Sequence, residues 1–235
     1  VTHNVEDKKY LDENLSLPEG QVVAVGGAGV DPQRFPFVEK LPDNPAPAIL
    51  VPARLLREKG FFEAVEASRI LDRRGVPHEL RFTGRLDVGN PHGITQAELD
   101  QAENTAPSVN VLPFQDDIHA AYAAADIICL PTYYREGLPT TLSEASAVGR
   151  AIASTNSIGV RDIITDDVNG LLAEPREAEP LADVLQRLIE NPALRERLRQ
   201  EAYTKYLARF TKDHNVTDHA PAYRALGLEL DRMQA

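Results

Sequence analysis

From Ile49 onward, short apolar runs alternate with longer segments whose apolar residues return every three or four positions. AILVP, ending at Pro52, reads as a buried strand, and after it Phe61, Ala64, Val65, Ser68 and Leu71 fall on one face of a helix. Glu63, Glu66 and Arg73 fall off that face. Further strands are predicted at ELRFTG ending at Gly84, VNVLPF around Val111, DIICLP ending at Pro131, AIAST after Arg150 and GLLA after Gly170, with helical stretches between most of them. This pattern predicts an α/β chain, with a doubly wound, Rossmann-like parallel sheet of about six strands. Ligands of such sheets lie in the crevice beyond the carboxyl ends of the strands.

Upstream the character changes. Residues 35–47 are rich in Pro and read as a linker. Residues 1–34 hold a helix-like stretch from Val5 to Leu15 and a strand-like stretch, QVVAVGG, together too small for a core of their own. They read as the last helix and strand of an N-terminal domain, so the strand from Gln21 to Val25 is expected to be mobile or to borrow an edge from another molecule. Residues 48–209 form the main domain, with two helices after Pro180, the second from about Ala193 to Arg209; residues 210–235 read as a tail helix.

Composition narrows the function. The chain has 235 residues, 43% of them hydrophobic, and no apolar run approaches a membrane span. A formal net charge of -11 argues against nucleic acid or an anionic membrane as partner, so any phosphate must be bound by a local cluster of donors. Cys129 stands alone and allows no intrachain disulfide, and VTHNVEDKKYL lacks the features of a signal peptide; both point to a reducing, cytoplasmic setting.

The most informative stretch is PTYYREGLPTTLSEASAVGR, residues 131–150, which leaves a strand, passes a loop with Gly and Pro and enters a helix. Pro139 suits the first helical position, which would leave the amides of Thr140, Thr141 and Leu142 as donors for phosphate or hydroxyl oxygens. Gly137 lets a ligand approach the backbone. Glu136 precedes the helix, and Glu144 shares the face of Thr140 and Thr141, leaning back toward the helix start. Carboxylates repel phosphate, so Glu136 suits a sugar hydroxyl and Glu144 a ribose. A nucleotide sugar offers both. After the first strand, Arg54 and Lys59 lie five residues apart in ARLLREKGF, where two cations could clamp a diphosphate and neutralise it as a leaving group.

These motifs resemble the retaining glycosyltransferases of the family-4 type, which pair two Rossmann-like domains in the GT-B architecture. GAGVDPQRF resembles the family's interdomain crossover, ARLLREKGF its diphosphate-binding segment, EGLPTTLSEASAVGRAI its two-glutamate motif and IGVRDIITDDVNGLL the segment that follows. The resemblance covers nearly the whole chain and implies that it is the donor-binding half of a larger enzyme. It implies a nucleoside-diphosphate sugar as donor, with a UDP-sugar expected, and transfer with retention to a glycan or lipid-linked acceptor held by the N-terminal half. The full-length enzyme would then work in the cytoplasm, at the inner membrane face where the acceptor is a lipid. By the same resemblance Arg54, Lys59 and Glu136 carry the catalytic roles on diphosphate and donor sugar, and Glu144 binds ribose. Gly137 and Leu138 offer backbone contacts to the sugar, and Thr141 and Leu142 lie near the phosphates. The nucleobase falls beside Gly84, Arg85 and residues 113–115, including Phe114. Here Pro113 and Phe114 replace the family's usual Gly.

Blander readings stand beside these. A Glu near a helix start often only complements the helix dipole. Arg54 or Lys59 taken singly could be a surface charge, and Tyr133 and Tyr134 either line the sugar pocket or close the sheet. Gly26, Gly27 and Gly29 lack the spacing of a dinucleotide loop, and Pro32 interrupts the helix that should follow. The histidines show no ligand spacing, so neither metal nor cofactor is expected. Asp116, Asp117, Asp166 and Asp167 read as caps of helices or turns. A different class of function, a non-catalytic nucleotide-sugar-binding subunit working beside a partner chain, fits the same residues.

Overall fold

The computed structural model describes residues 1–16, 18, 20–114 and 117–225. Among them runs one six-stranded sheet, built from β1 (Ala48–Pro52), β2 (Glu79–Thr83), β3 (Val109–Leu112), β4 (Ile127–Leu130), β5 (Ala151–Thr155) and β6 (Leu171–Ala173). The spatial order is β3-β2-β1-β4-β5-β6 and every neighbouring pair is parallel. This is the doubly wound order the sequence pattern predicts.

Every residue of β1, β4 and β5 is buried, as helices on both faces require. The alternation within each strand divides two cores. Ile49, Val51, Ile127 and Cys129 face α2 (Phe61–Arg73) and α7 (Ala178–Glu190), while Leu50, Ile128, Leu130 and Ile152 face α5 (Thr140–Val148) and α8 (Pro192–Arg209). Fully burying one such aliphatic side chain stabilises by about 1.5–3 kcal/mol, so the sheet centre anchors the domain. Helix α3 (Gln96–Thr105) begins with a complete capping box, Thr95 with Glu98. The chain also holds α1 (Val5–Asn14), α4 (Ile118–Ala123), α6 (Val160–Ile163) and α9 (Lys212–Ala225). None of the described helices is long and apolar enough to cross a membrane.

Three expectations change. Residues 21–25 form no strand. Instead Ala24 makes a single parallel bridge to Thr2, with Thr2 N donating to Val23 O at 2.9 Å and Val25 N to Thr2 O at 2.9 Å. Val22 and Val25 are buried, so this segment finds its edge within its own chain. The residues read as a linker are packed in their first half: Phe35 is buried with its ring edge-on to Tyr122, and Phe37 lies 4.4 Å from the Tyr203 ring. Proline there stiffens the backbone, and the two aromatic side chains supply the burial. Helix α7 begins at Ala178, because Pro180 is tolerated within a first turn whose amides need no helical acceptor. Of the tail, α9 is described and residues 226–235 lie outside the described residues, as do Gln115 and Asp116.

The crossover region closes onto the end of α8. Val30 N donates to Phe210 O at 2.9 Å, Lys212 N to Val30 O at 3.1 Å, and the Tyr206 hydroxyl to Val30 O at 3.1 Å. These bonds fix the backbone at Val30 against the end of α8.

Candidate functional site

Strands β1 and β4 are neighbours whose following helices, α2 and α5, pack on opposite faces of the sheet. Their loops therefore part at the carboxyl end and leave the crevice where α/β sheets bind ligands. The loop after β1 ends in a 3-10 turn, Arg57–Lys59, closed by Gly60 at φ 80. A Cβ on Gly60 would stand 2.1 Å from Pro131 O, so glycine alone lets this loop lie against the loop after β4. The Glu58 carbonyl then accepts from Tyr133 N at 3.0 Å and Tyr134 N at 3.2 Å.

This lacing brings Lys59 onto Glu136. The Lys59 ammonium and the Glu136 carboxylate form an ion pair, and Thr132 Oγ1 donates to the same Glu136 oxygen at 2.9 Å. Glu136 is 8% exposed. Lys59 Nζ also lies 5.5 Å from the Tyr134 ring centre, while Tyr133 stacks under the Arg176 guanidinium at 4.5 Å. Arg54 sits apart from this pair. Its side chain is 65% exposed and meets only Asp87 among the described acidic groups, at 3.5 Å, a contact worth little in water.

At the start of α5, Pro139 is the N-cap residue, with ψ 106, instead of the first helical residue. Its carbonyl turns into the helix and accepts from Leu142 N at 3.0 Å. The Leu142 amide is thus not a free donor, and the Leu142 side chain is fully buried; Thr140 and Thr141 carry the open end of the helix. Leu138 packs against the crossover, where a Cβ on Gly27 would stand 2.6 Å from Leu138 Cδ2.

Glu144 points back along α5, as its position predicts, and accepts from the Tyr122 hydroxyl at 2.9 Å. Burial pushes the Glu144 carboxyl above the usual carboxylate range, against the opposing pull of the Tyr122 hydrogen bond and the Arg34 charge.

A cleft of ≈ 580 Å³ lies over the ends of β1 and β2, lined among others by Arg34, Arg54, Gly84, Arg85, Phe114 and Ile118. Gly84 is required by packing, since a Cβ there would stand 2.1 Å from Ala53 O. The Arg85 guanidinium lies 3.9 Å from the centre of the Phe114 ring, making a flat platform on the cleft wall. Among the described residues no group of three or more His, Cys, Asp or Glu side chains could hold a metal ion.

The structure thus gathers Lys59, Glu136, Gly137 and the start of α5 at one point, with Arg54, Gly84, Arg85 and Phe114 along the adjoining cleft. Several residues of the site escape sequence reasoning. Thr132, held by Thr155 Oγ1 and by Ser157 Oγ at 2.8 Å on its carbonyl, orients Glu136. Tyr122 orients Glu144, and Arg34 reaches the cleft from the crossover. Tyr122 and Arg34 carry only weak signals, an apolar helix position and a charge beside a turn.

Residues 33–205 match the family model described as glycosyl transferases group 1. The chain belongs to this family. Among curated relatives, the amylovoran biosynthesis glycosyltransferase AmsK of Erwinia amylovora is 30% identical over 210 residues, covering 87% of this chain and 49% of AmsK. The chain spans about half the length of such curated relatives. Among solved structures, sucrose-phosphate synthase from Thermosynechococcus elongatus superposes with a TM-score of 0.82 at 24% identity, covering 96% of this chain and 57% of that one. Anabaena HepE in complex with UDP-glucose gives 0.78 at 17% identity, over 96% of this chain and 62% of that one. At these identities the likeness is one of fold: the sheet described above is a Rossmann-like half of the GT-B architecture.

Proposed function

We propose that this chain is the donor-binding half of a retaining glycosyltransferase that moves a sugar from a nucleoside-diphosphate donor to a glycan or lipid-linked acceptor. The observation that carries the reading is the Lys59 and Glu136 pair, set at the switch point of the sheet beside the open start of α5. A cation for phosphate and a carboxylate for hydroxyls, side by side, match the junction between a diphosphate and its sugar.

In this reading the donor divides the pair. Lys59 turns to the diphosphate and, with Arg54 and the amides of Thr140 and Thr141, stabilises the charge that develops on the leaving phosphate oxygen. Glu136, released from Lys59, accepts from sugar hydroxyls. The backbone N–H groups of Gly137 and Leu138 meet the same sugar, and Glu144 accepts from ribose hydroxyls. The base lies against Arg85 and Phe114. Local cations and helix dipole do the work that a metal would otherwise do, so no metal enters the scheme. A UDP-sugar is the expected donor; the HepE structure with UDP-glucose is consistent with that choice. Retention at the anomeric carbon follows from the family resemblance, and the acceptor is held by protein beyond this chain.

The experiment is calorimetric titration of the chain with UDP, GDP, ADP and their common sugar conjugates. Binding of at least one conjugate, more tightly than its free nucleoside, supports the proposal, and no binding by any of them overturns it.

A further inference from the structure

Asn4 lies at the amino end of α1, remote in sequence from every motif of the site, and is 2% exposed. Its Oδ1 accepts from Asp7 N at 2.6 Å, which caps α1. Its amide nitrogen, with two protons for three acceptors, donates to Asp7 Oδ2 at 2.8 Å and makes a shared, three-centre contact with Glu136 O at 3.2 Å and Gly137 O at 3.0 Å. The last two contacts span about 130 residues of chain and land on the loop that carries Glu136.

That loop is held from other directions as well. A Cβ on Gly159 would stand 2.6 Å from Glu136 O and 2.7 Å from Gly137 O, so the Gly159 backbone lies directly on the same two carbonyls. Arg135 Nε donates to Asp7 Oδ1 at 2.7 Å, and Arg161 Nη2 to Glu6 Oε1 at 2.7 Å. The first turn of α1 is thereby fastened to the loop after β4 and to α6, which follows β5.

A trans peptide is planar, with its C=O and N–H pointing in opposite directions. Fixing the carbonyl of Glu136 therefore fixes the N–H of Gly137, and fixing the carbonyl of Gly137 fixes the N–H of Leu138. We propose that Asn4 is a positioning residue for the donor sugar: by gripping these two carbonyls it aims the Gly137 and Leu138 amides into the crevice. The inference rests on the donor reading above and adds a residue from outside the donor domain's own motifs. It also links the segment before the crossover to sugar binding, and such a link acts in both directions, so that bound sugar steadies α1 in turn.

The competing role for Asn4 is to cap α1 and nothing more. Asn4→Ser separates the two, because a serine caps a helix as well as an asparagine but lacks the amide that reaches residues 136 and 137. The chain and this variant are compared by titration with UDP and UDP-glucose, and by 15N relaxation of the Glu136, Gly137 and Leu138 amides without ligand. The expected result is about 10-fold weaker UDP-glucose binding with UDP affinity within about 2-fold. The order parameters of the three amides should fall from about 0.85 toward 0.6 while α1 stays folded. Unchanged order parameters overturn the clamp whatever the donor is, and equal losses for UDP and UDP-glucose overturn its assignment to the sugar. If the unaltered chain binds neither UDP nor UDP-glucose, the choice of a UDP donor is what has failed, the titration is repeated with the GDP- or ADP-sugar that binds, and the relaxation data still decide whether Asn4 holds the loop.

Discussion

Lys59 and Glu136 neutralise each other across two loops that meet only because Gly60 has no side chain. The pair is nearly dry, with side-chain exposures of 17% and 10%, so each charge leans on the other. In the proposed complex the diphosphate replaces Glu136 as the partner of Lys59. Lys59→Ala should then weaken UDP by about 10- to 150-fold, or about 1.5–3 kcal/mol, and leave uridine almost unchanged. The same variant strands a buried carboxylate and should lower stability. Lys59→Met with Glu136→Gln should restore stability, as measured by urea unfolding, without restoring UDP binding. Equal losses for uridine and UDP would mean that Lys59 acts through the fold.

The two glutamates should separate in ligand preference. Glu136→Gln is expected to weaken the sugar conjugate and spare free UDP, whereas Glu144→Gln should weaken both by a similar factor. Matching profiles for the two variants would refute their assignment to different hydroxyls.

Burial raises the Glu144 carboxyl and the Tyr122 hydrogen bond lowers it. In the proposed complex the ionised form accepts from ribose, so nucleotide affinity should fall as the pH drops through that raised value. Tyr122→Phe removes a stabiliser of the charge and should move the fall to higher pH. Stability has the opposite sign. Because the native carboxyl holds its proton more tightly than the unfolded one, native stability declines as pH rises from the ordinary carboxylate range through the raised value. Glu144→Gln should abolish that decline, which thermal unfolding across the acid range would reveal.

Arg150 tests the scaffold instead of the site. Fully buried, it donates to Tyr122 O at 3.0 Å, Ala123 O at 2.9 Å and Gly149 O at 3.2 Å, and burial lowers its pKa to about 10. Arg150→Ala leaves three carbonyls without this donor and opens a cavity beneath α4, and should cost about 3–5 kcal/mol in denaturant unfolding. Nucleotide affinity of the fraction still folded should change little.

The strands were legible because both faces of the sheet are covered, so each reads as a continuous apolar run such as AILVP or DIICLP. The placing of Glu136 and Glu144 about the start of α5 was legible for a local reason, since Gly137 and Pro139 mark the passage from strand to helix in the sequence itself. The pairing of Lys59 with Glu136 was not, because it depends on how closely two loops approach across the sheet. Asn4 left no trace at all, since one asparagine before a helix reads as a cap. The strand expected at residues 21–25 failed because its β-branched residues are met by a single bridging residue, Thr2, instead of a sheet edge.

Metal independence is the next consequence. With Lys59, Arg54 and the start of α5 supplying positive potential, UDP-sugar affinity in excess EDTA should match that in magnesium. A strict need for a divalent ion would show that these groups do not carry the diphosphate.

The most direct test of the donor reading is titration calorimetry of this chain against UDP-glucose, UDP and uridine, with GDP- and ADP-sugars in parallel. The account predicts that one nucleotide sugar binds more tightly than its diphosphate, and the diphosphate far more tightly than its nucleoside. Binding of none of them, or equal affinity for nucleoside and nucleotide sugar, would contradict it.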